Sequence, residues 1–426
     1  MHPSPGRVTA RDATPADPAP ARSLYIHIPF CAHKCHYCDF YSFVDARDQQ
    51  APFLDALVRE LASLAPLAAP RGLTTLFIGW GTPSLLRVDL WQRLLDALHD
   101  LFNLRPILDG LGEFTVECNP ESVTRGLMNT LAAGHVTRIS LGAQSFNQRR
   151  LAVLERKHDP AAVARALAVS ADAGIERRSI DLIYAIPDQS MDDLRADLDT
   201  AVTLDPSVEH LSAYCLTYEP NTPLTARARR GEITPAADDD AAAMQTLIHD
   251  TLTGVGFAHY EVSNFARSTG IGVSPASPAV SLHNLAYWRT EGWLAAGPSA
   301  SAHILTTDPA TGLPAGARWK NAPNLRTWLA GVTETGSAPA IDREPPDPRR
   351  TLRERLMMGV RLAEGLDAER ALDHADRLGG AAALKSAVDR QCALGLLELA
   401  DARWRPTQRG FLFADAIAVD LMAAIE

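Results

Sequence analysis

The chain has 426 residues, enough for two or three domains with a large core. Its formal charge of −10 argues against nucleic acid as the main partner, because phosphate binding favours a basic face. Hydrophobic residues make up 46% of the chain, and no apolar run approaches the roughly 18 residues of a membrane span, so we expect a soluble, cytoplasmic protein. Residues 1–22 are rich in Pro and Ala, which predicts a disordered tail. They lack the apolar core of a secretory signal.

Six short β-rich segments alternate with helical segments between residues 23 and 225. They are β-branched or aromatic and end in Gly, Pro or Asn, which is typical of parallel strands. Closed eight-stranded barrels use about 250 residues, so six repeats predict an open, partial (β/α)6 barrel resembling a TIM barrel. Right-handed crossovers bring the carboxyl ends of its strands to one rim, where we expect the chemistry. The predicted strands are Ser23–Ile28, Thr74–Ile78, Glu113–Cys118, Arg138–Gly142, Ser179–Tyr184 and His210–Leu216. A predicted helix after the first strand has one apolar face made of Phe53, Leu54, Leu57, Val58, Leu61 and Leu64.

The βα repeat stops near residue 225. Residues 226–335 form a predicted α+β extension that contains a Ser/Gly/Pro-rich mobile loop over 266–282. Four prolines in 336–350 predict a linker. Residues 351–426 predict helices, two strands and a further helix, the order of a winged-helix module. That segment holds ten Lys and Arg against twelve Asp and Glu, so we expect a packing or partner module and not a DNA-binding one.

Three of the six cysteines follow the first predicted strand in the pattern CxxxCxxC, at Cys31, Cys35 and Cys38. A cysteine cluster in a long cytosolic chain indicates a metal site, and this one falls at the barrel rim. Three thiolates can hold a [4Fe–4S] cluster and leave one iron open to another ligand. A zinc site of the Cys₃His type is the alternative, and cysteines that bind no metal are a third interpretation. The histidines that could complete a zinc site are His27, His33 and His36.

Further motifs, in order along the chain, resemble those of radical S-adenosylmethionine (SAM) proteins, in the branch related to oxygen-independent coproporphyrinogen oxidase. The resemblance begins in the cysteine loop, YIHIPFCAHKCHYCDF, and covers nearly everything after residue 22. It continues through IGWGTPSLL at 78–86, TVECNPES at 115–122, RISLGAQSFN at 138–147, LERKH at 154–158, IDLIYAIPDQS at 180–190, YEVSNFA at 260–266, HNLAYW at 283–288 and RERLMMGVRLAEGL at 353–366.

This resemblance implies that the three cysteines hold a [4Fe–4S] cluster and that SAM chelates its open iron. A single carboxylate at a strand end more often caps a helix than binds a ligand. The evidence for SAM binding is therefore the occurrence of several matching residues together near the rim. Trp80 replaces the middle glycine of the family's GGGTP turn, which puts in question the second SAM site described for the oxidase branch. The positions that match SAM-contacting positions of the family are Tyr25, Tyr37, Gly79, Gly81, Thr82, Glu117, Gln144, Arg156 and Asp181.

Two departures from the oxidase pattern favour a haem-chaperone branch of the same family. Phe40 stands where the oxidases carry a further cysteine, and only 22 residues precede the first strand. HNLAYW also matches the HNxxYW motif of that branch, so His283 becomes a candidate haem-iron ligand. A hydrogen-bonded structural histidine is the alternative for His283.

The resemblance therefore implies a haem chaperone that binds haem together with a SAM-chelated cluster and passes haem to acceptor haemoproteins of the respiratory chain. An electron donor is required if SAM is cleaved, and a homodimer is plausible. The alternative is an oxygen-independent coproporphyrinogen III dehydrogenase, which forms protoporphyrinogen IX by radical oxidative decarboxylation. A zinc-bearing interaction protein without SAM chemistry is the third hypothesis.

Overall fold

A mixed sheet of twelve strands forms the body of the protein. The computed structural model describes residues 8–268 and 279–425. The strands are β1 (Ser23–Ile28), β2 (Phe30–Cys31), β3 (Phe43–Val44), β4 (Thr75–Trp80), β5 (Glu113–Cys118), β6 (Arg138–Gln144), β7 (Arg177–Tyr184), β8 (His210–Cys215), β9 (Phe257–Glu261), β10 (Asn264–Arg267), β11 (Trp293–Ala296), β12 (Ser301–Thr307), β13 (Pro314–Asn321), β14 (Ala340–Asp347), β15 (Leu366–Asp367), β16 (Leu397–Ala400) and β17 (Arg403–Pro406).

The six predicted strands are β1 and β4–β8, and they lie side by side in chain order. Each pairs with the next in parallel, as the βα repeat predicts. The large sheet has the order β14-β13-β12-β11-β1-β4-β5-β6-β7-β8-β10-β9, so β11 extends the parallel run and antiparallel strands complete both ends. This order does not return on itself, which confirms an open barrel.

Helices cover the outer face of the parallel strands. The predicted helix after the first strand is α2, and its apolar face packs as expected, with Phe53, Leu57 and Leu61 fully buried. The α-helices are α1 (Ala10–Ala13), α2 (Gln50–Leu64), α3 (Val88–Leu101), α4 (Arg105–Leu108), α5 (Arg125–Ala133), α6 (Gln148–Val153), α7 (Ala161–Asp172), α8 (Met191–Thr203), α9 (Pro223–Arg229), α10 (Asp238–Gly254), α11 (Leu282–Trp288), α12 (Leu325–Thr335), α13 (Pro348–Gly359), α14 (Ala368–Arg377), α15 (Ala381–Ala393), α16 (Gln408–Leu412) and α17 (Ala414–Ala423).

The expected linker over 336–350 differs from the structure. Most of it is strand β14, which pairs with β13, and α13 begins at Pro348. Pro345 and Pro346 are compatible with this strand because β14 lies at the sheet edge, where a missing N–H group costs no ladder hydrogen bond. The four prolines therefore mark an edge strand and a helix start.

The expected disordered tail and mobile loop also differ where the structure describes them. Residues 8–13 pack on the sheet: Thr9 caps the short helix α1 and forms a β-bridge with Pro339. The predicted loop over 266–282 overlaps β10 at one end and α11 at the other. Its remaining part, residues 269–278, lies outside the described residues.

The C-terminal residues form a small module with its own core. After α13 come β15, α14, α15, β16 and β17, and the three strands form a separate sheet in the order β15-β17-β16. This is the order of a winged helix, as predicted. Leu356, Trp404, Ile417 and Leu421 are buried in its core.

Candidate cofactor site

The three predicted cysteines lie in the loop that follows β1, at the rim formed by the carboxyl ends of the parallel strands. β2 and β3 close the base of this loop by pairing Phe30 with Phe43. Cys31, Cys35 and Cys38 are free, half-buried thiols that line one cavity of about 920 Å³. Among the described residues, no three His, Cys, Asp or Glu side chains converge tightly enough to hold a metal ion as they stand.

Hydrogen-bond donors nevertheless point at two of the cysteine sulfurs. Thr82 Oγ1 lies 3.6 Å from Cys31 Sγ, and Arg156 Nη1 lies 3.9 Å from Cys35 Sγ. Burial raises the pKa of Cys35 and raises that of Cys38 to about 11, so both thiols are protonated at neutral pH in this arrangement. A bound metal favours thiolates, and donors beside the sulfurs stabilise that negative charge. The donor set therefore fits an iron–sulfur cluster.

His27 has no free ring nitrogen with which to complete a zinc site. Its Nε2 lies 2.8 Å from the carbonyl oxygen of Tyr41, and its Nδ1 lies 3.2 Å from the hydroxyl of Tyr25. Burial lowers the pKa of His27 to about 4, so the ring is neutral and acts within this hydrogen-bonded chain. His33 lines the cavity, and its Nε2 lies 3.7 Å from Glu155.

Arg156 ties the cysteine loop to neighbouring strand ends. Its Nη2 donates to Asn119 Oδ1 at 2.8 Å and to the carbonyl of Gly142 at 2.7 Å. Asn119 in turn donates to Thr82 Oγ1 at 3.0 Å. One chain of hydrogen bonds therefore runs from Cys35 through Arg156, Asn119 and Thr82 to Cys31, which fixes donors around the loop.

Two carboxylates inside the barrel rim have raised pKa values. The pKa of Glu117 is raised to about 7, mainly by burial and also by the nearby charge of Asp181. The N–H group of Trp80, which donates to Glu117 Oε2 at 2.7 Å, partly offsets this rise. Burial also raises the pKa of Asp181, although the hydroxyl of Ser140 donates to it at 2.9 Å. Two half-buried carboxylates that line one cavity favour a cationic or hydrogen-bonding ligand between them.

The end of β4 and the turn that follows it require glycine at two positions, Gly79 and Gly81. A Cβ atom on Gly79 would lie 2.6 Å from Glu117 Oε2, and one on Gly81 would lie 2.3 Å from the carbonyl oxygen of Ile28. Trp80, between them, adopts φ +84°, a left-handed conformation that is rare for a bulky residue. Backbone strain of this kind is concentrated at ligand sites.

A second left-handed residue, Gln144, ends β6. Its φ is +65°, and the pairing of β6 with β7 shifts register between Gly142 and Gln144. An irregularity of this kind re-aims a side chain at the end of a strand, and Gln144 lines the cavity.

Nearly all predicted SAM positions are brought together at this cavity. Gly79 is the exception: it lies directly beneath the Glu117 carboxylate and does not line the cavity. The predicted residues that line it are Tyr25, Tyr37, Gly81, Thr82, Glu117, Gln144, Arg156 and Asp181.

His283 lies in the same cavity, on α11. It is 1% exposed and stacks on Phe77, with ring centroids 5.1 Å apart. Its Nδ1 lies 2.8 Å from the hydroxyl of Thr75, whereas its Nε2 has no hydrogen-bond partner among the described residues. Burial lowers the pKa of His283 to about 3, so the ring is neutral. With the proton on Nδ1, the Nε2 lone pair is available to a ligand.

A buried ion pair holds α11 inside the barrel. Arg138 and Glu113, at the amino ends of β6 and β5, lie 3.2 Å apart with side chains 2% and 0% exposed. Arg138 donates to the carbonyl of Val280 at 2.8 Å. Glu113 accepts from the N–H group of Leu282 at 3.1 Å, at the start of α11. The two charges therefore anchor the segment that carries His283.

Three residues that shape the cavity wall illustrate what the sequence analysis missed. Asn119 connects Arg156 to Thr82, as described above. Glu261 is buried, accepts hydrogen bonds from Ser263 and Asn264, and has its pKa raised to about 7 by burial. Met358, on α13, brings the C-terminal module to the cavity. The motif YEVSNFA contains Glu261 and was the signal that could have identified it.

Comparison with known proteins connects this geometry to a family. The profile of the Radical SAM superfamily matches residues 25–201, and that of the HemN C-terminal domain matches residues 347–413. The protein named heme chaperone HemW of Mycobacterium tuberculosis is 36% identical over 94% of this chain and 94% of its own length. The chain belongs to the HemW family of radical SAM proteins. HemW of Lactococcus lactis is 33% identical over 82% of this chain and 83% of its own, and HemW of Escherichia coli is 35% identical over 68% and 72%.

The fold of this HemW-family chain is also that of a solved radical SAM enzyme. Coproporphyrinogen III oxidase (HemN) of Escherichia coli superimposes with a TM-score of 0.76, covering 94% of this chain and 90% of the oxidase at 22% identity. Membership in the radical SAM superfamily implies SAM and a [4Fe–4S] cluster as cofactors. No helix among the described residues is long and apolar enough to cross a membrane.

Proposed function

We propose that this protein is a haem chaperone of the HemW type. It binds haem and a SAM-chelated [4Fe–4S] cluster, and it transfers the haem to acceptor haemoproteins. One observation carries the proposal: His283, whose Nε2 has no hydrogen-bond partner in the described part of the chain, lines the same cavity as Cys31, Cys35 and Cys38. The names of its HemW relatives support the same assignment.

In this proposal the three cysteines hold the cluster. Three thiolate ligands would leave one iron for the amino and carboxylate groups of SAM, and a reduced cluster would supply the electron needed for SAM cleavage. Arg156 and Thr82 stabilise the thiolates through their contacts with Cys35 and Cys31. The protonated thiols release their protons when the metal is loaded.

The strand-end residues bind SAM. Glu117 and Asp181 are half-buried carboxylates with raised pKa values, and the positive charge of SAM or its ribose hydroxyls would stabilise their ionised forms. Because the pKa of Glu117 is about 7, binding of the cation releases a proton near neutral pH. Tyr25, Tyr37, Gly79, Gly81, Thr82, Gln144 and Arg156 line the SAM-binding wall or shape it.

His283 supplies the haem-iron ligand. A neutral imidazole with a free nitrogen is a common axial ligand of haem, and the hydroxyl of Thr75 holds the other nitrogen. The low pKa of His283, about 3, keeps the ring neutral throughout the physiological range. Near neutral pH, therefore, no proton would compete with the haem iron for Nε2.

A haem titration of the anaerobically purified holoprotein tests this proposal. We expect about four irons per chain and a haem spectrum that changes for His283→Ala. His303→Ala is the matched control, because His303 is also 1% exposed and its Nε2 has no partner among residues 8–268 and 279–425, yet it does not line the cavity. Equal haem binding by His283→Ala and the wild type would contradict the ligand assignment.

The same preparation is offered coproporphyrinogen III, SAM and a reductant to test for the oxidase reaction. Phe40, which stands in place of the oxidases' additional cysteine, leads us to expect no protoporphyrinogen IX. Its formation together with 5′-deoxyadenosine would refute the chaperone assignment. Zinc in place of iron would refute the radical SAM chemistry.

A further inference from the structure

Two residues at which the sequence departs from related patterns contact each other in the structure. Phe40 stands in place of a cysteine and Trp80 in place of a glycine. Their ring centroids are only 3.8 Å apart, and both side chains line the cofactor cavity. They belong to different elements, the cysteine loop and the end of β4, so their contact does not follow from proximity in sequence.

The Phe40–Trp80 pair faces solvent at the mouth of the cavity. Phe40 is 40% exposed and Trp80 is 42% exposed, whereas Glu117 and Asp181, which line the same cavity, are half-buried. Large aromatic side chains left in water at a cavity mouth favour a ligand that covers them.

The backbone holds the Trp80 ring in place. Its N–H group donates to Glu117, and its ring packs against Tyr25 and His27, with centroids 6.2 and 6.1 Å away. The left-handed φ of Trp80 carries a conformational cost that glycine would avoid. This chain therefore carries a strained, exposed tryptophan at a position where glycine would suit the backbone. Contacts within the protein cover only part of the Trp80 side chain.

We propose that Phe40 and Trp80 form an aromatic platform that stacks on the porphyrin face of haem. This inference rests on the proposed function and adds a haem-positioning site to it. The two ring planes are inclined by 55°, so one ring can lie flat on a planar ligand while the other meets it at its edge. Both arrangements are favourable for aromatic pairs.

Position distinguishes the porphyrin from the adenine of SAM, the other planar group in this cavity. The polar residues suited to SAM, including Glu117 and Asp181, lie deep at the strand ends. The platform lies at the open side of the cavity, and Tyr25 lies between it and His283, with ring centroids 6.2 Å from Trp80 and 6.5 Å from His283. Apart from the indole N–H of Trp80, the two rings carry no group that could hydrogen-bond to an adenine edge, whereas a porphyrin face requires only stacking and burial.

Anaerobic haem titrations of the cluster-loaded protein test the platform. We expect Trp80→Gly to weaken haem binding about tenfold, the loss expected for a stacked aromatic contact and part of its burial. The same variant relieves the left-handed backbone, so its fold is expected to survive, as circular dichroism and iron content will show. Phe40→Leu should give a smaller loss. Phe413→Leu is the matched control, since Phe413 is 43% exposed but lies in the C-terminal module.

The possible outcomes separate this inference from the proposed function. If the wild type binds no haem, the proposed function fails. If the wild type binds haem and Trp80→Gly binds it equally well, the platform is wrong while the function stands. A SAM titration of Trp80→Gly supplies the third comparison: loss of SAM affinity with unchanged haem affinity would assign the rings to adenine and overturn the inference.

Discussion

Replacing Arg138 with methionine tests whether the buried ion pair anchors the helix that carries His283. The substitution removes the guanidinium that lies 3.2 Å from the Glu113 carboxylate, whose side chain is 0% exposed. It also removes the donors to the backbone carbonyls of Ala279 and Val280. Breaking a buried pair on one side costs about 3–5 kcal/mol. We therefore expect the free energy of unfolding to fall by about that amount in urea denaturation followed by circular dichroism.

A surface pair provides the comparison. Arg125 and Asp172 lie 3.0 Å apart but are 67% and 57% exposed, so Arg125→Met should cost less than about 1 kcal/mol. Arg138→Met should also weaken haem binding, because α11 loses its attachment to β6. A stability loss as small as that of Arg125→Met would refute the reasoning, and unchanged haem affinity would show that the pair does not position His283.

Three further predictions concern the cysteine loop, the glycine turn and acid stability. Cys35→Ser should leave the purified protein with little of its iron, as measured by iron and sulfide analysis, because one of three thiolate ligands is lost; full iron retention would be the contrary result. Gly79→Ala should lower SAM affinity at least about tenfold in equilibrium dialysis, since its Cβ would lie 2.6 Å from the Glu117 carboxylate, whereas Gly126→Ala, with nothing within 4 Å, should bind SAM as the wild type does. Burial lowers the pKa of His303 from 6.5 to about 4, so between these values the unfolded chain binds a proton that the folded chain does not. The stabilising contribution of this histidine, present above pH 6.5, should therefore be lost toward pH 4 at about 1.4 kcal/mol per pH unit. His303→Ala should reduce that slope in urea titrations at pH 7 and pH 5, and an unchanged slope would contradict the shift.

The barrel was predictable because its signals are local. Each parallel strand is a short apolar run with a turn residue after it, and the bounds of β1 and β5 were predicted without error. The linker prediction over 336–350 was wrong because proline occurs both in irregular linkers and in edge strands, and composition does not distinguish the two. Residues 8–13 form structure through a capped turn and a bridge to Pro339, a contact that only the folded chain creates.

The site was predictable to the extent that its residues share the rim. Strand topology alone brings Glu117 and Asp181 together with the cysteine loop, and the motifs supplied the remaining positions. Glu113 and Arg138 lie at the opposite ends of their strands, so the rim argument could not indicate their role beneath α11. The Phe40–Trp80 contact likewise depends on the path of a loop, which periodicity does not specify.

Haem transfer is the activity that most directly tests the central claim. The haem-loaded protein, with its cluster intact, is mixed anaerobically with an apo-haemoprotein, and the acceptor is separated and assayed for its own haem spectrum and activity. We predict that the acceptor gains haem faster from the wild type than from His283→Ala or from free haem at equal concentration, with no porphyrinogen consumed. Haem gain at the rate of free haem, or conversion of coproporphyrinogen III to protoporphyrinogen IX by the same preparation, would contradict the account.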